Sequence, residues 1–315
     1  MIGQNMAVLY GKGLLRMLQK LMLRTGNSVR NKKNISHHYD LGNDFFSQWL
    51  DSSMTYSCAY FRNPADSLDD AQRQKTGHAL KKLCIRPGDR LLDIGSGWGE
   101  LIIRAALEYG AKAVGVTLSD EQYAGTKEKI ARLGLEGQVE VRLTNYLDLD
   151  EAAEKFDRIS SIGMLEHVGK ANLGRYMAKI DGLLVPGGLS LLHNITATRE
   201  AIPNTWTAKY IFPGGYIPSL REIICLLPEH DFHLVHLESL RRHYALTLDR
   251  WHENYSRHFA AVEARFGRRF ARMWNLYLLA SAASFRSGLE IYQMLFSKGL
   301  NEDVPMTFDF LYRQD

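Results

Sequence analysis

The chain has 315 residues, 45% of them hydrophobic, enough for one large α/β domain with additions. Its 39 basic against 35 acidic residues leave a net charge of +4, too mild to choose between an anionic membrane and nucleic acid as partner. The three cysteines, Cys58, Cys84 and Cys225, are too few and too scattered for a disulfide framework or a metal site, and charges interrupt every apolar run short of a membrane span.

In chain order, residues 1–36 read as a basic arm. No Asp or Glu precedes Asp40, while Lys12, Arg16, Lys20, Arg24, Arg30, Lys32 and Lys33 do. Leu14, Leu15, Leu18, Leu21 and Met22 follow helical spacing among these charges. Such a stripe either lies in an anionic membrane interface or packs on the protein's own core, and both readings stand. The arm lacks the apolar centre and small-residue cleavage site of a secretion signal, and the few, scattered cysteines make a reducing cytosol the expected compartment.

The catalytic domain is expected over residues 37–315, with a lid over 37–75, a cofactor-binding core over 76–199, and an aromatic-rich insertion and return to the sheet over 200–315. Short apolar runs at 90–94, 113–116, 139–143, 156–162 and 189–192 alternate with helical patterns. Ser119 or Asp120 can cap one of these helices, and Gly187-Gly188 reads as a turn. This alternation predicts a doubly wound, mostly parallel sheet. Residues 232–240 and 289–296 predict two further strands, antiparallel at one edge. A second basic stretch holds eight arginines from Arg241 to Arg272 against Asp249, Glu253 and Glu263, and no nucleic-acid-binding motif accompanies it.

The first strand ends in Asp93-Ile94-Gly95-Ser96-Gly97-Trp98-Gly99. Glycines between a strand and a helix let the backbone turn tightly and approach a ligand. A GxGxG alone also suits a dinucleotide or a plain turn. The preceding Asp and the missing phosphate-gripping Lys make this one resemble motif I of class I S-adenosylmethionine-dependent methyltransferases. After the second strand, Thr117 and Gln122 are the candidate contacts, whereas Asp120 and Glu121 read as helix-starting acids.

Further motifs narrow the resemblance. His38-Tyr39-Asp40-Leu41-Gly42-Asn43-Asp44-Phe45-Phe46, Thr55-Tyr56-Ser57-Cys58, Leu165-Glu166-His167-Val168-Gly169, Leu191-Leu192-His193-Asn194-Ile195 and Phe212-Pro213-Gly214-Gly215-Tyr216 stand in order. Together they resemble the cyclopropane fatty acid synthase family, which includes the mycolic acid methyltransferases. The resemblance implies a Rossmann-like, seven-stranded class I methyltransferase fold. It also implies transfer of a methylene group to the cis double bond of an unsaturated phospholipid acyl chain. A carbocation forms, and a bound bicarbonate takes the proton as the ring closes. Carried over, the bicarbonate cradle is Cys58, Glu166, His193, Ile195 and Tyr244, with Cys58 and Ile195 acting mainly through the backbone. The cofactor contacts are Tyr56, Ser57, Asp93, Gly95, Gly97, Gly99, Thr117, Leu118, Gln122, Asn145 and Tyr146. The chain departs from many members at Asn145, where they have Asp, and at Ser96, where they have Cys. The expected place is the inner, cytoplasmic face of an anionic membrane, with a homodimer open. Methylation without ring closure, N-methylation of a small amine, and a binding protein without activity are the alternatives.

Overall fold

The computed structural model describes residues 41–200 and 205–313; the basic arm lies outside them. The chain enters through the short helix α1 (Asn43–Phe46) and reaches α2 (Leu68–Lys82), capped by Ser67. The core then alternates: β1 (Arg90–Ile94), α3 (Glu100–Tyr109), β2 (Lys112–Thr117), α4 (Asp120–Arg132), β3 (Val139–Leu143), β4 (Phe156–Ile162), α5 (Leu173–Leu183) and β5 (Leu184–Ala197). Next come α6 (Thr205–Tyr210), α7 (Leu220–Ile224) and β6 (Phe232–Ser239). The helices α8 (Arg241–Arg257), α9 (Phe259–Phe266) and α10 (Arg268–Ser287) precede β7 (Leu289–Lys298). Among the described residues seven strands form one sheet in the order β3-β2-β1-β4-β5-β7-β6. Strands β1 to β5 are mutually parallel, and β7 runs antiparallel to both β5 and β6.

The expected helix cap is Ser119, whose hydroxyl accepts from the Gln122 amide. The expected turn at Gly187-Gly188 is corrected: it is a bulge inside β5. Pairing with β4 jumps from Phe156↔Leu184 to Arg158↔Leu189, so the glycines take up slack without breaking the strand. Strand β5 also overruns β4, whose last residue Ile162 pairs with His193. Beyond it, residues 194–197 pair with β7, and Ala197 also bridges Ser219, its amide donating to the Pro218 carbonyl at 2.9 Å. His193 therefore sits level with the end of β4 rather than at the end of its own strand.

Two glycines set the height of the cofactor loop. Gly99 has φ +81, and a Cβ there would meet Thr126 Cγ2 at 2.4 Å, so its missing side chain lets α4 close on the start of α3. Gly115 of β2 pairs with Asp93, and a Cβ there would meet Ser96 Oγ at 2.6 Å and Ile102 Cδ1 at 2.8 Å. Among the described residues no helix is long and apolar enough to cross a membrane. Gly99→Ala should lower stability by about 2–4 kcal/mol, because a left-handed backbone strain and a steric clash add. Combining it with Thr126→Ala should return part of that loss in a denaturant titration. A single variant as stable as the parent would refute the packing role.

Candidate functional site

The first cavity, about 140 Å³, lies at the carboxyl ends of β1, β2 and β4. That is the crevice where open α/β sheets bind ligands. Ten of the eleven expected cofactor contacts line it: Tyr56, Ser57, Asp93, Gly95, Gly97, Thr117, Leu118, Gln122, Asn145 and Tyr146. Gly99 does not, because it is spent on helix packing. Ser160 of β4 donates a 2.6 Å hydrogen bond to the buried Asp93 carboxylate, whose pKa burial raises to about 6. Thr117 donates to Gln122 Oε1 at 2.7 Å, joining two of the expected contacts. The Asn145 oxygen accepts from the Leu147 amide and so caps the turn over 146–148.

The segment 43–57 is tied to the glycine loop and to α2. Trp98 Nε1 donates to Asn43 Oδ1 at 2.9 Å. Gln72 Nε2 donates to the carbonyl of Ser57 at 2.8 Å, and Lys75 Nζ donates to Ser57 Oγ at 3.2 Å. Lys75 is buried, so desolvation pulls its pKa down while Asp51 and Asp93 oppose that pull. Motif reading missed Gln72 and Lys75. Their only signal is two polar residues on the face of α2 that also buries Ala71 and Ala79.

The second cavity is larger, about 430 Å³, and mainly apolar. It meets the first along a shared wall of Tyr56, Ser57, Ile162, Gly163 and His167. Its floor is the β5–β7 ladder, where the pairs His193↔Gln293, Ile195↔Ile291 and Ala197↔Leu289 place one residue set on one face. The structure brings all five expected cradle residues, Cys58, Glu166, His193, Ile195 and Tyr244, to its lining.

The hydrogen bonds assign these residues different tasks. The Ile195 amide donates to Glu166 Oε1 at 2.7 Å, so this N–H orients the carboxyl and is not available to a ligand. Glu166 Oε2 and His193 Nε2 are buried and have no hydrogen-bond partner among the described residues. Burial raises the Glu166 pKa to about 7 and pushes that of His193 well below its ordinary value. Gln293 Nε2 lies 3.3 Å from His193 Nδ1. An amide nitrogen only donates, so Nδ1 accepts and the imidazole proton sits on Nε2, where it can donate into the cavity. The Cys58 thiol lies 3.2 Å from the carbonyl of Ala59, and burial pushes its pKa above the ordinary thiol range. A thiol so held is no nucleophile. His167, on the shared wall, is pushed down to about 4 by burial and stays neutral.

Glu166 sets a pH dependence. A carboxyl whose pKa rises from 4.5 to about 7 on folding stabilises the fold while protonated. That contribution is full below the unfolded value and is lost as pH rises through the folded one. Glu166→Gln keeps an oxygen for the Ile195 amide but cannot ionise. It should therefore exceed the parent's stability at about pH 8, by up to about 3 kcal/mol, with the gap closing towards about pH 5. Melting curves across that range are the check; a gap independent of pH would refute the burial argument.

Comparisons with known proteins fit this geometry. The family model for mycolic acid cyclopropane synthetase matches residues 27–294. The cyclopropane-fatty-acyl-phospholipid synthase of Escherichia coli K12 is 41% identical over 266 residues, covering 84% of this chain and 67% of that protein. The tuberculostearic acid methyltransferase UfaA1 of Mycobacterium tuberculosis is 42% identical over 279 residues, covering 83% of this chain and 64% of that protein. Among solved structures, the mycolic acid cyclopropane synthase CmaA1, complexed with S-adenosylhomocysteine and CTAB, superposes with a TM-score of 0.80 at 32% identity. That match covers 85% of this chain and 98% of CmaA1. With a matching family model over most of its length and a glycine-loop cavity sharing a wall with a larger, mainly apolar one, the chain belongs to the mycolic acid cyclopropane synthetase family of S-adenosylmethionine-dependent methyltransferases.

Proposed function

We propose that this enzyme adds a methylene group to the cis double bond of an unsaturated phospholipid acyl chain, giving a cyclopropane, at the inner face of the membrane. The observation that carries the reading is the pair Glu166 Oε2 and His193 Nε2, buried without partners in a largely apolar cavity that meets the cofactor cavity. Two buried polar atoms cost stability unless something polar comes to them. The name of the E. coli relative supports the substrate class, and the free cysteines suit a reducing compartment.

S-adenosylmethionine, held by the lining of the first cavity, would supply an electrophilic methyl and a thioether leaving group. Bicarbonate would supply a base that does not itself become alkylated. Its candidate holders are Glu166, His193, Tyr244 and the backbone at Cys58. Ile195 acts one step removed, through Glu166. In balance, the alkene takes the methyl carbon, the sulfur–carbon bond breaks, one proton leaves the new methyl, and the freed electron pair closes the ring.

The protein's own residues do the rest. Gln293 keeps the His193 proton on Nε2. Glu166, with a pKa of about 7, can hold or release a proton near neutrality. Tyr56, Tyr244, Tyr277 and Phe285 line the second cavity. Their ring faces attract a carbocation, and the surrounding apolar wall keeps away water that would capture it. A second reading, acyl-chain methylation that stops before ring closure, is favoured by the likeness to the tuberculostearic acid methyltransferase.

Labelled S-adenosylmethionine incubated with an unsaturated phospholipid should place label in the acyl chain, with upfield ring-proton signals in the product. Label without those signals would favour the second reading, and no acyl label would end both. Glu166→Gln should bind S-adenosylmethionine normally in calorimetry while turnover falls at least about tenfold, or about 1.4 kcal/mol. Normal turnover would make Glu166 purely structural.

A further inference from the structure

Helix α10 presents three faces. Ala271, Trp274, Leu278 and Phe285 enter the aromatic core. Tyr277, Ala280, Ser281 and Ser284 line the acyl-sized cavity. The third face, Arg268, Arg269, Arg272, Leu276, Leu279 and Ala283, is exposed, with Leu276 at 53% and Leu279 at 46%. Ala280 is both exposed and part of the cavity lining, so the cavity opens beside this stripe.

The arginines are placed against stability. The first turn of α10 holds no acid, although a helix N-terminus favours acids and repels cations. Arg268 reaches Glu263 only at 3.8 Å, and no ion pair among the described residues involves Arg269 or Arg272. Unpaired cations at the wrong end of a helix, next to bare leucines at a cavity mouth, are explained by an anionic, hydrocarbon-bearing partner.

We propose that this face of α10 docks on an anionic lipid bilayer. Leu276 and Leu279 enter the acyl boundary, Arg268, Arg269 and Arg272 meet lipid phosphates, and the cavity mouth at Ala280 comes level with the chains it admits. The proposal rests on the acyl-lipid reading above. The basic arm is a poor cover for the face, because residues 1–39 carry seven Lys and Arg and no acid. An acidic carrier protein would match the arginines but leave the leucine stripe unexplained.

The test uses the full chain with Leu276→Asp/Leu279→Asp and, separately, Arg269→Glu/Arg272→Glu. Vesicles of phosphatidylglycerol with unsaturated phosphatidylethanolamine are compared with phosphatidylcholine vesicles by co-sedimentation. Turnover is also measured on unsaturated phospholipid dispersed in detergent micelles. The leucine variant should lose at least tenfold in vesicle affinity and vesicle turnover. Its melting temperature, S-adenosylmethionine affinity and micellar turnover should match the parent's. The arginine variant should lose affinity for the anionic vesicles only, most at low salt. Unchanged vesicle affinity in both variants overturns the proposal. So does a loss seen only on deleting residues 1–40, which assigns anchoring to the arm. Intact vesicle affinity with lost turnover on a carrier-protein-bound acyl chain also overturns it. If the parent fails to turn over micellar phospholipid, the acyl-lipid reading fails, while vesicle affinity still judges the face.

Discussion

The site is organised by what ionisable groups must find once they are taken out of water. Lys75, Asp93 and His193 are buried, and the Glu166 carboxyl and His167 ring are enclosed at the cavity wall. A charge moved from water into a protein interior is costly unless it is paired, hydrogen-bonded or neutralised. Each of the five answers differently. Lys75 leans on Ser57 and on the charges of Asp51 and Asp93; Asp93 takes the Ser160 hydroxyl. Glu166 takes one backbone amide and a raised pKa, and the two histidines stay neutral. These answers draw the segment around Ser57, the end of β4 and the β5–β7 ladder to one place. The site is therefore as much a product of desolvation as of strand order.

The two cavities divide the remaining work by polarity. The first sets loop backbone and polar groups such as Asp93, Thr117, Gln122 and Asn145 beside Trp98, Val116 and Met164. The second is walled in part by Tyr56, Tyr244, Tyr277 and Phe285, which belong to a core cluster whose rings meet mostly edge to face: Trp49 lies 5.2 Å from Tyr56 and 5.6 Å from Trp251, and Phe45 lies 4.9 Å from Trp274. Rings packed this way fix one another's orientation more firmly than aliphatic chains do. The hydroxyls of Tyr56 and Tyr277 share a 2.8 Å hydrogen bond that links the segment before β1 to α10. Tyr56 belongs to both cavities, so one side chain forms part of each wall.

What the sequence made legible follows from the range of the forces involved. The parallel core, the glycine loop and Ser119 were readable because periodicity and capping act within a few residues. The antiparallel edge of β6 and β7 was readable from composition. Gly187-Gly188 misled because a glycine pair marks a turn and a bulge with the same residues. Gln293 and Lys75 stayed invisible because their importance comes from neighbours far along the chain: His193 lies 100 positions from Gln293. Cys58, Glu166, His193, Ile195 and Tyr244 were found through family motifs, not through local chemistry. Motifs named Ile195 without revealing that its amide serves Glu166.

The contact between Ser96 and Gly115 has a consequence for how this chain can change over time. The hydroxyl of Ser96 points at the place where residue 115 would carry its first carbon, 2.6 Å away. A cysteine at 96, the residue the resemblance gives for other members, presses harder on that spot because sulfur is larger than oxygen. The two positions therefore share one allotment of volume. A lineage can exchange serine for cysteine only while 115 stays glycine, and alanine at 115 is open only to a lineage that has first trimmed residue 96. Substitution histories at these sites should be ordered, with the same step recurring first.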